Sequence, residues 1–225
     1  MSDNLRRYRA IRDALKSLYP REPQGNLARH LHTLAAIVSG IVGSRRTTLP
    51  DMASKVPDRT RSESRVKKYT CWLTNSCIET DVYLLPYVND LVKSLAHLPI
   101  VLIMDGSEVG RGCLTLMVSL VYRGRALPLA WTVVKGNKGH LAEKTHLDLI
   151  KQVYSVVPDD STVVFLGDGE FDGIELQATL QDWEWTYVSR TAKNVQLCAD
   201  DDIFTPEDLG VERGERLSAP QELCF

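Results

Sequence analysis

No apolar run in this chain approaches the roughly 18 residues that a membrane-crossing helix needs, so the reading contains no helical membrane span. The opening stretch, MSDNLRRYRAIRDALK, has basic side chains but no apolar signal core, which argues against secretion. Cysteine is sparse, with five residues scattered at 71, 77, 113, 198 and 224 and no CxxC pair. Such spacing argues against a zinc site or a disulfide framework and matches free cytosolic thiols. The Gly-rich loop KGNKGH at 135–140 lacks the Ser or Thr that follows the lysine of a nucleotide-binding P-loop. There is also no internal repeat. These absences leave a cytoplasmic globular protein of 225 residues, long enough for one large domain or two small ones.

What is present is divided unevenly. The net charge of −2 conceals a basic amino-terminal part. Residues 1–68 hold fifteen Lys and Arg against six Asp and Glu, a net +9, which leaves −11 for the remainder. A basic segment beside an acidic one points to nucleic-acid contact in the former, or to a solvated basic helical surface.

Helical periodicity fills the basic part. Leu5, Tyr8, Ile11, Leu15 and Leu18 predict a helix over 3–19, and Leu27, Leu31, Leu34, Val38 and Ile41 a second over 26–42 with Gly43 at its cap. His30 and His32, two apart, point in different directions and read as surface residues. A short helix at 49–56 ends at Pro57, and a basic helix begins at Ser62 or Ser64. That pair resembles a helix-turn-helix. Arg45, Arg46, Arg59, Arg61, Arg65, Lys67 and Lys68 are its candidate contacts to phosphates or bases. One more helix is expected over 80–98, with Pro86 in its early turns.

The sequence then changes period. Ile100 to Met104 is a five-residue apolar run that ends on Asp105-Gly106, and Val163 to Leu166 is a second that leads to Asp168-Gly169. Each reads as a buried strand ending on an aspartate. Asp-Gly also opens ordinary turns, but an aspartate at the end of a buried strand is a candidate for pairing or for metal binding. Between them lie strands at 113–122 and 126–134, joined through short Gly-containing turns, and a helix at 142–157. A helix at 171–183 and a strand at 185–189 follow. A three-stranded meander and then crossovers put the fourth strand beside the first, so that Asp105 and Asp168 become neighbours. The expected fold is an α/β (α+β) one: a ribonuclease-H-like mixed five-stranded sheet with flanking helices, preceded by an all-helical region. Expected boundaries are 1–95, 98–197 and 198–225, the last having turn residues and no complete element.

The segments LIMDGSEVG (102–110), ALPLAWTVVKGNKGH (126–140), FLGDGEFDG (165–173) and WTYVSRTAKN (185–194) resemble DDE transposases of bacterial insertion sequences, in the branch with a β-rich insertion before the last catalytic residue. The resemblance implies DNA cutting and joining at a divalent site, Mg²⁺ or Mn²⁺, held by two aspartates and a distant glutamate. Asp105 and Asp168 match the two aspartates. It further implies double-stranded DNA as partner, from element ends and target, a homo-oligomer on two DNA ends, and a bacterial nucleoid setting. Lys135, Lys138 and His140 would line the DNA near the site. The family's glutamate lies in a Tyr-Arg-Glu-Lys signature that does not occur before Phe225. The expectation is therefore a chain that ends inside the insertion and does not cut DNA. Glu170 and Glu108, the nearest other acids, read as surface or substrate-loop residues. The alternative function is a non-catalytic DNA-binding remnant; a nuclease acting on RNA–DNA hybrids fits the fold but not the basic helices.

Overall fold

The computed structural model describes residues 3–58, 60–136, 141–199, 202–211, 214–215 and 223–224. The chain divides into two compact units, Met1–Leu91 and Val92–Phe225.

The first unit is helical. Its elements are α1 (Asp3–Ser17), α2 (Gly25–Ser44), α3 (Leu49–Ser54), α4 (Ser62–Leu73) and α5 (Thr80–Tyr83), and α6 (Leu85–Leu95) runs across the division. The apolar stripes of α2, α3 and α4 meet in a core of Ala36, Ile37, Met52, Ala53, Val56 and Tyr69, with Tyr8, Val66 and Trp72 packed against it. The helix expected to cap at Gly43 continues to Ser44. Arg45 takes the left-handed cap (φ 56°), its N–H donating to the Ile41 carbonyl at 2.7 Å. Between α3 and α4 the chain uses residues 55–61, longer than the ~3–4 residues of a tight helix-turn-helix turn. The single helix expected over 80–98 is broken at Leu84. Pro86 has no N–H to offer the Val82 carbonyl, and the Tyr19 hydroxyl donates to that carbonyl instead, at 2.6 Å.

The second unit is built on a mixed five-stranded sheet of order β3-β2-β1-β4-β5. Its strands are β1 (Ile100–Gly110), β2 (Cys113–Tyr122), β3 (Arg125–Lys135), β4 (Val163–Gly167) and β5 (Thr186–Ser189). The first three form the expected antiparallel meander, and β4 pairs with β1 in parallel. Both hairpins turn on Arg-Gly with positive φ at each central residue, Arg111-Gly112 and Arg123-Gly124. Two positive φ values match the right-handed strand twist. Pro128 falls on edge strand β3, beside a bulge, where its missing N–H costs the ladder little.

Two helices, α7 (Glu143–Tyr154) and α8 (Ile174–Asp182), cover one face of this sheet. Leu102, Met104, Leu116, Val118 and Phe165 are buried there, along with Leu147, Ile150, Val153, Leu176 and Leu180 of the helices. Side chains alternate along a strand, so the other face receives Val101, Ile103, Val164 and Leu166, which are half-buried. Trp131, Val133 and Val188 on that face are exposed by 44%, 56% and 58%, so it is the less covered of the two. Among the described residues past 196 are three short strands, β6 (Leu197–Ala199), β7 (Asp202–Phe204) and β8 (Leu223–Cys224), in a separate small sheet. That replaces the expectation of no complete element after Cys198.

Candidate functional site

Asp105 and Asp168 each lie two residues past the last pair that joins β1 to β4. β1 and β4 pair with Ile103 opposite Leu166. Carried two residues past that last pair, the alternation along the strands leads to Asp105, still within β1, and to Asp168, one residue after β4 ends at Gly167. Both are exposed. The two strands differ in one respect from expectation. β4 does end just before its aspartate, but β1 continues to Gly110 because Gly106, Ser107 and Glu108 stay paired with Leu116, Thr115 and Leu114 of β2. Polar side chains do not stop a strand whose backbone groups still have ladder partners.

The turn after β4 fixes Asp168. Its Oδ1 accepts the Glu170 N–H at 3.0 Å, and its backbone carbonyl accepts the Phe171 N–H at 3.0 Å. Gly167 is required by packing, since a Cβ there would stand 2.8 Å from Cβ of the buried Phe171. The Phe171 ring lies edge-on to His146 of α7, centroids 4.9 Å apart. His146 is 3% exposed. Burial pushes its pKa below the ordinary 6.5, against the opposing pull of the Glu170 and Glu143 carboxylates. Glu143 Oε1 accepts the Leu176 N–H in the first turn of α8 at 2.9 Å, and Gly173 leaves room for that carboxylate. A carboxylate at a helix N-terminus satisfies an otherwise orphaned donor and meets the positive end of the dipole.

Glu170 departs from the sequence reading. It is half-buried, with one carboxylate oxygen in the interior and the other 3.6 Å from where a side chain on Gly106 would begin. Gly106 lies on the helix-covered face, opposite the one that bears Asp105. Glu170 is thus an acid of the turn after β4, as read, but half-buried, with its carboxylate toward Gly106. Glu108 is exposed, as read.

Beside Asp168 is a cleft of about 500 Å³ lined by Asp168, Gly169, Glu170, Arg190, Thr191 and Lys193. The Arg190 N–H donates to the Gly167 carbonyl at 3.2 Å, and the Thr191 hydroxyl donates to Asp172 Oδ2 at 2.8 Å. Sequence reading gave Arg190 and Lys193 no role. The available signal was two cations directly after the strand that neighbours β4. Lys135 is exposed on the same sheet face as Asp105, but two strands away and about 13 Å further along.

The basic residues of the helical unit separate into two groups. Arg45, Arg46, Arg61, Lys67 and Lys68 are exposed, with Arg46 3.7 Å from Asp51. Arg65 is turned inward and leaves the candidate contact set. Its Nη1 donates to the Val56 carbonyl at 2.9 Å, its Nε lies 3.5 Å from Asp58, and its side chain is 14% exposed. The reason is helical spacing: Arg65 precedes the buried Tyr69 by four residues and shares its face. Arg59, Lys138 and His140 lie outside the described residues.

A further cationic grouping crosses the helices. Lys68 joins Arg29 and His32 along a cleft of about 440 Å³. The His32 pKa is pushed down by partial burial and by the charges of Lys16, Arg12 and Lys68. Arg29 of α2 and Lys68 of α4 therefore line one cleft, with His32 held toward its neutral form beside them, a grouping invisible to a reading along the chain.

The exposed carboxylates of Asp105 and Asp168 are hard oxygen donors of the kind that suits Mg²⁺ or Mn²⁺. They supply two positions, and among the described residues no group of three or more His, Cys, Asp or Glu is disposed to hold a metal ion. No helix among the described residues is long and apolar enough to cross a membrane. The fold defines a mixed α/β protein with a five-stranded sheet, an exposed aspartate on β1 and another just after β4, and a basic helical unit. Comparison with protein-family models and with curated protein sequences returns no match.

Proposed function

We propose that this chain is a transposase of the DDE type, with a ribonuclease-H-like core behind a helical DNA-binding region. The observation that carries the reading is the parallel pairing of β1 with β4, Ile103 opposite Leu166, with Asp105 and Asp168 two residues beyond on each side. The strand order β3-β2-β1-β4-β5 with helices after β3 and β4 is compatible with that core.

Asp105 and Asp168 would hold Mg²⁺ or Mn²⁺. Bound there, the ion supplies Lewis-acid activation of an attacking oxygen and charge neutralisation at the leaving one. Arg190 and Lys193 neutralise the phosphodiester that enters the cleft beside Asp168. Arg45, Arg46, Arg61, Lys67 and Lys68 hold duplex DNA through phosphates, aided by Arg29 in the cleft that Lys68 lines. Two protomers acting on two DNA ends follow from the resemblance.

The second reading is a DNA-binding protein without cutting activity. It is favoured by Glu170, which faces away from Asp105 and leaves the two aspartates as a pair. A strand-cleavage assay in Mg²⁺ or Mn²⁺ separates the two readings. It uses the 225 residues alone and extended by a segment bearing the family's glutamate. Cleavage that requires the extension and is lost on Asp105→Asn or Asp168→Asn supports the transposase. DNA binding with no cleavage in either form supports the second reading. Cleavage that survives both substitutions eliminates the site.

A further inference from the structure

The loops that lead into β4 and β5 line a cleft of about 510 Å³ at the end of those strands opposite Asp168. One wall is aromatic. Tyr154, the last residue of α7, stacks on Trp183, which caps α8, with centroids 4.0 Å apart and planes 21° from parallel. Trp185 meets Trp183 edge-on at 5.2 Å and Tyr154 at 5.7 Å. A ring that close to Trp183 cannot also lie across the far face of Tyr154. Neither tryptophan therefore covers that face, and Tyr154 is 43% exposed. The turn between the tryptophans is fixed. The Glu184 and Trp185 N–H groups donate to the Gln181 and Leu180 carbonyls, each at 2.9 Å, with Glu184 at φ 58° in the left-handed position that glycine usually fills.

The rest of the lining is acidic. Asp159 and Asp160 come from the loop after α7, and Asp182 and Glu184 from the end of α8. All four are exposed, none is in an ion pair among the described residues, and no Lys, Arg or His lines the cleft. The Ser161 hydroxyl at the same cleft is buried without a hydrogen-bond partner among the described residues, which is rare for a polar group. Ring faces and carboxylates favour the same occupant, an organic cation, and the carboxylates repel phosphate. A quaternary ammonium suits the rings but has no N–H for the carboxylates. A lysine ammonium has donors but no plane to stack. A guanidinium has both. We propose that this cleft binds an arginine side chain carried on a peptide segment of a protein partner. The guanidinium lies on the open face of Tyr154 and donates to the carboxylates and to Ser161. A peptide-borne arginine is favoured over the free amino acid, whose own carboxylate would meet four like charges. The proposal is independent of the reading of Asp105 and Asp168.

The test follows the indole N–H signals of Trp72, Trp131, Trp183 and Trp185 by NMR in the isotopically labelled 225-residue chain. The probes are the end-blocked tripeptide Gly-Arg-Gly, its lysine and citrulline analogues, free arginine, and tetramethylammonium. Citrulline keeps the shape of arginine without its charge. The arginine peptide should shift the Trp183 and Trp185 signals and leave those of Trp72 and Trp131 in place. It should bind about tenfold or more tightly than the citrulline peptide, and more tightly than the other three probes. Two variants locate the contact. Tyr154→Leu removes the outer ring. Asp159→Asn, Asp160→Asn, Asp182→Asn and Glu184→Gln, combined in one chain, remove the charges and leave the rings in place. Each variant should weaken binding of the arginine peptide about tenfold, with the melting temperature reporting that the fold is kept. Should Tyr154→Leu fail to fold, the carboxylate variant decides, since its substitutions are all at exposed positions. Unshifted Trp183 and Trp185 signals overturn the proposal. So does equal binding of the lysine or citrulline peptide, of free arginine or of tetramethylammonium, or undiminished binding by the carboxylate variant.

Discussion

Replacing Arg65 by alanine separates a folding role from a DNA-contact role. The charged hydrogen bond from Nη1 to the Val56 carbonyl, 2.9 Å long in a half-buried setting, contributes about 1.5–3 kcal/mol. The Asp58 pairing adds little: the two groups are 3.5 Å apart without a hydrogen bond from Nε, and Asp58 is 43% exposed. Exposed pairs of that kind contribute about 0–1 kcal/mol. Asp58 also keeps the Thr60 N–H, which donates to it at 3.0 Å, so its carboxylate is not stranded when the guanidinium goes. The expected loss for Arg65→Ala is therefore about 2–3 kcal/mol. Arg65→Lys should recover only part, since an ammonium lacks the planar fork. Lys67→Ala and Lys68→Ala, on exposed positions of the same helix, should stay within about 0.5 kcal/mol. The assay is urea unfolding together with DNA affinity measured across salt concentrations. Each lost phosphate contact should reduce the slope of log affinity against log salt by about 0.9. The lysine variants should show that change, and folded Arg65→Ala should not. An Arg65→Ala protein of unchanged stability with a slope reduced by about 0.9 would refute the inward assignment.

Three other outcomes follow from particular contacts. Glu143→Ala should destabilise the sheet unit by about 1–2 kcal/mol, because it removes the carboxylate that satisfies the Leu176 N–H at the start of α8; urea unfolding with an α8 fluorescence probe measures it. The His146 pKa is depressed by burial, so the unfolded chain takes up that proton first. Stability should be complete above about pH 6.5 and decline as pH falls below it, and His146→Leu should lack that part of the decline in a pH series of melts. The Tyr69 phenol is pushed up to about 12 by burial, and its hydroxyl has no partner among the described residues. The unfolded chain ionises near 10, so alkali should remove stability between pH 10 and about 12, and Tyr69→Phe should abolish that loss while matching or exceeding the parent at neutral pH.

The sheet was legible because its signals are local. Apolar runs ending in Asp-Gly, Arg-Gly hairpins and one helix between strands specify a meander followed by crossovers, and the observed order has β4 beside β1. That order sets β4 beside β1, and the period of two then carries the reading toward Asp105 and Asp168. Other features depend on which way a side chain turns, and composition does not record that. Arg65 looks like its neighbours Lys67 and Lys68 until Tyr69 fixes which helix face is buried. Glu170 looks like an exposed acid until the turn brings its carboxylate toward Gly106. The meeting of Arg29 and Lys68 along one cleft exists only after α2 and α4 pack. The break at Leu84 was signalled by Pro86, but a proline in an early turn is equally compatible with an unbroken helix.

The most direct measurement on the central claim is a Mn²⁺ titration of the 225-residue chain by electron paramagnetic resonance, repeated on Asp105→Asn, Asp168→Asn and the double variant. If the two carboxylates share an ion, each single substitution removes most of the binding, and the double variant loses far less than the sum of the two. Binding that survives both substitutions, or losses that simply add as for two separate sites, would contradict the claim that Asp105 and Asp168 form one metal-binding pair.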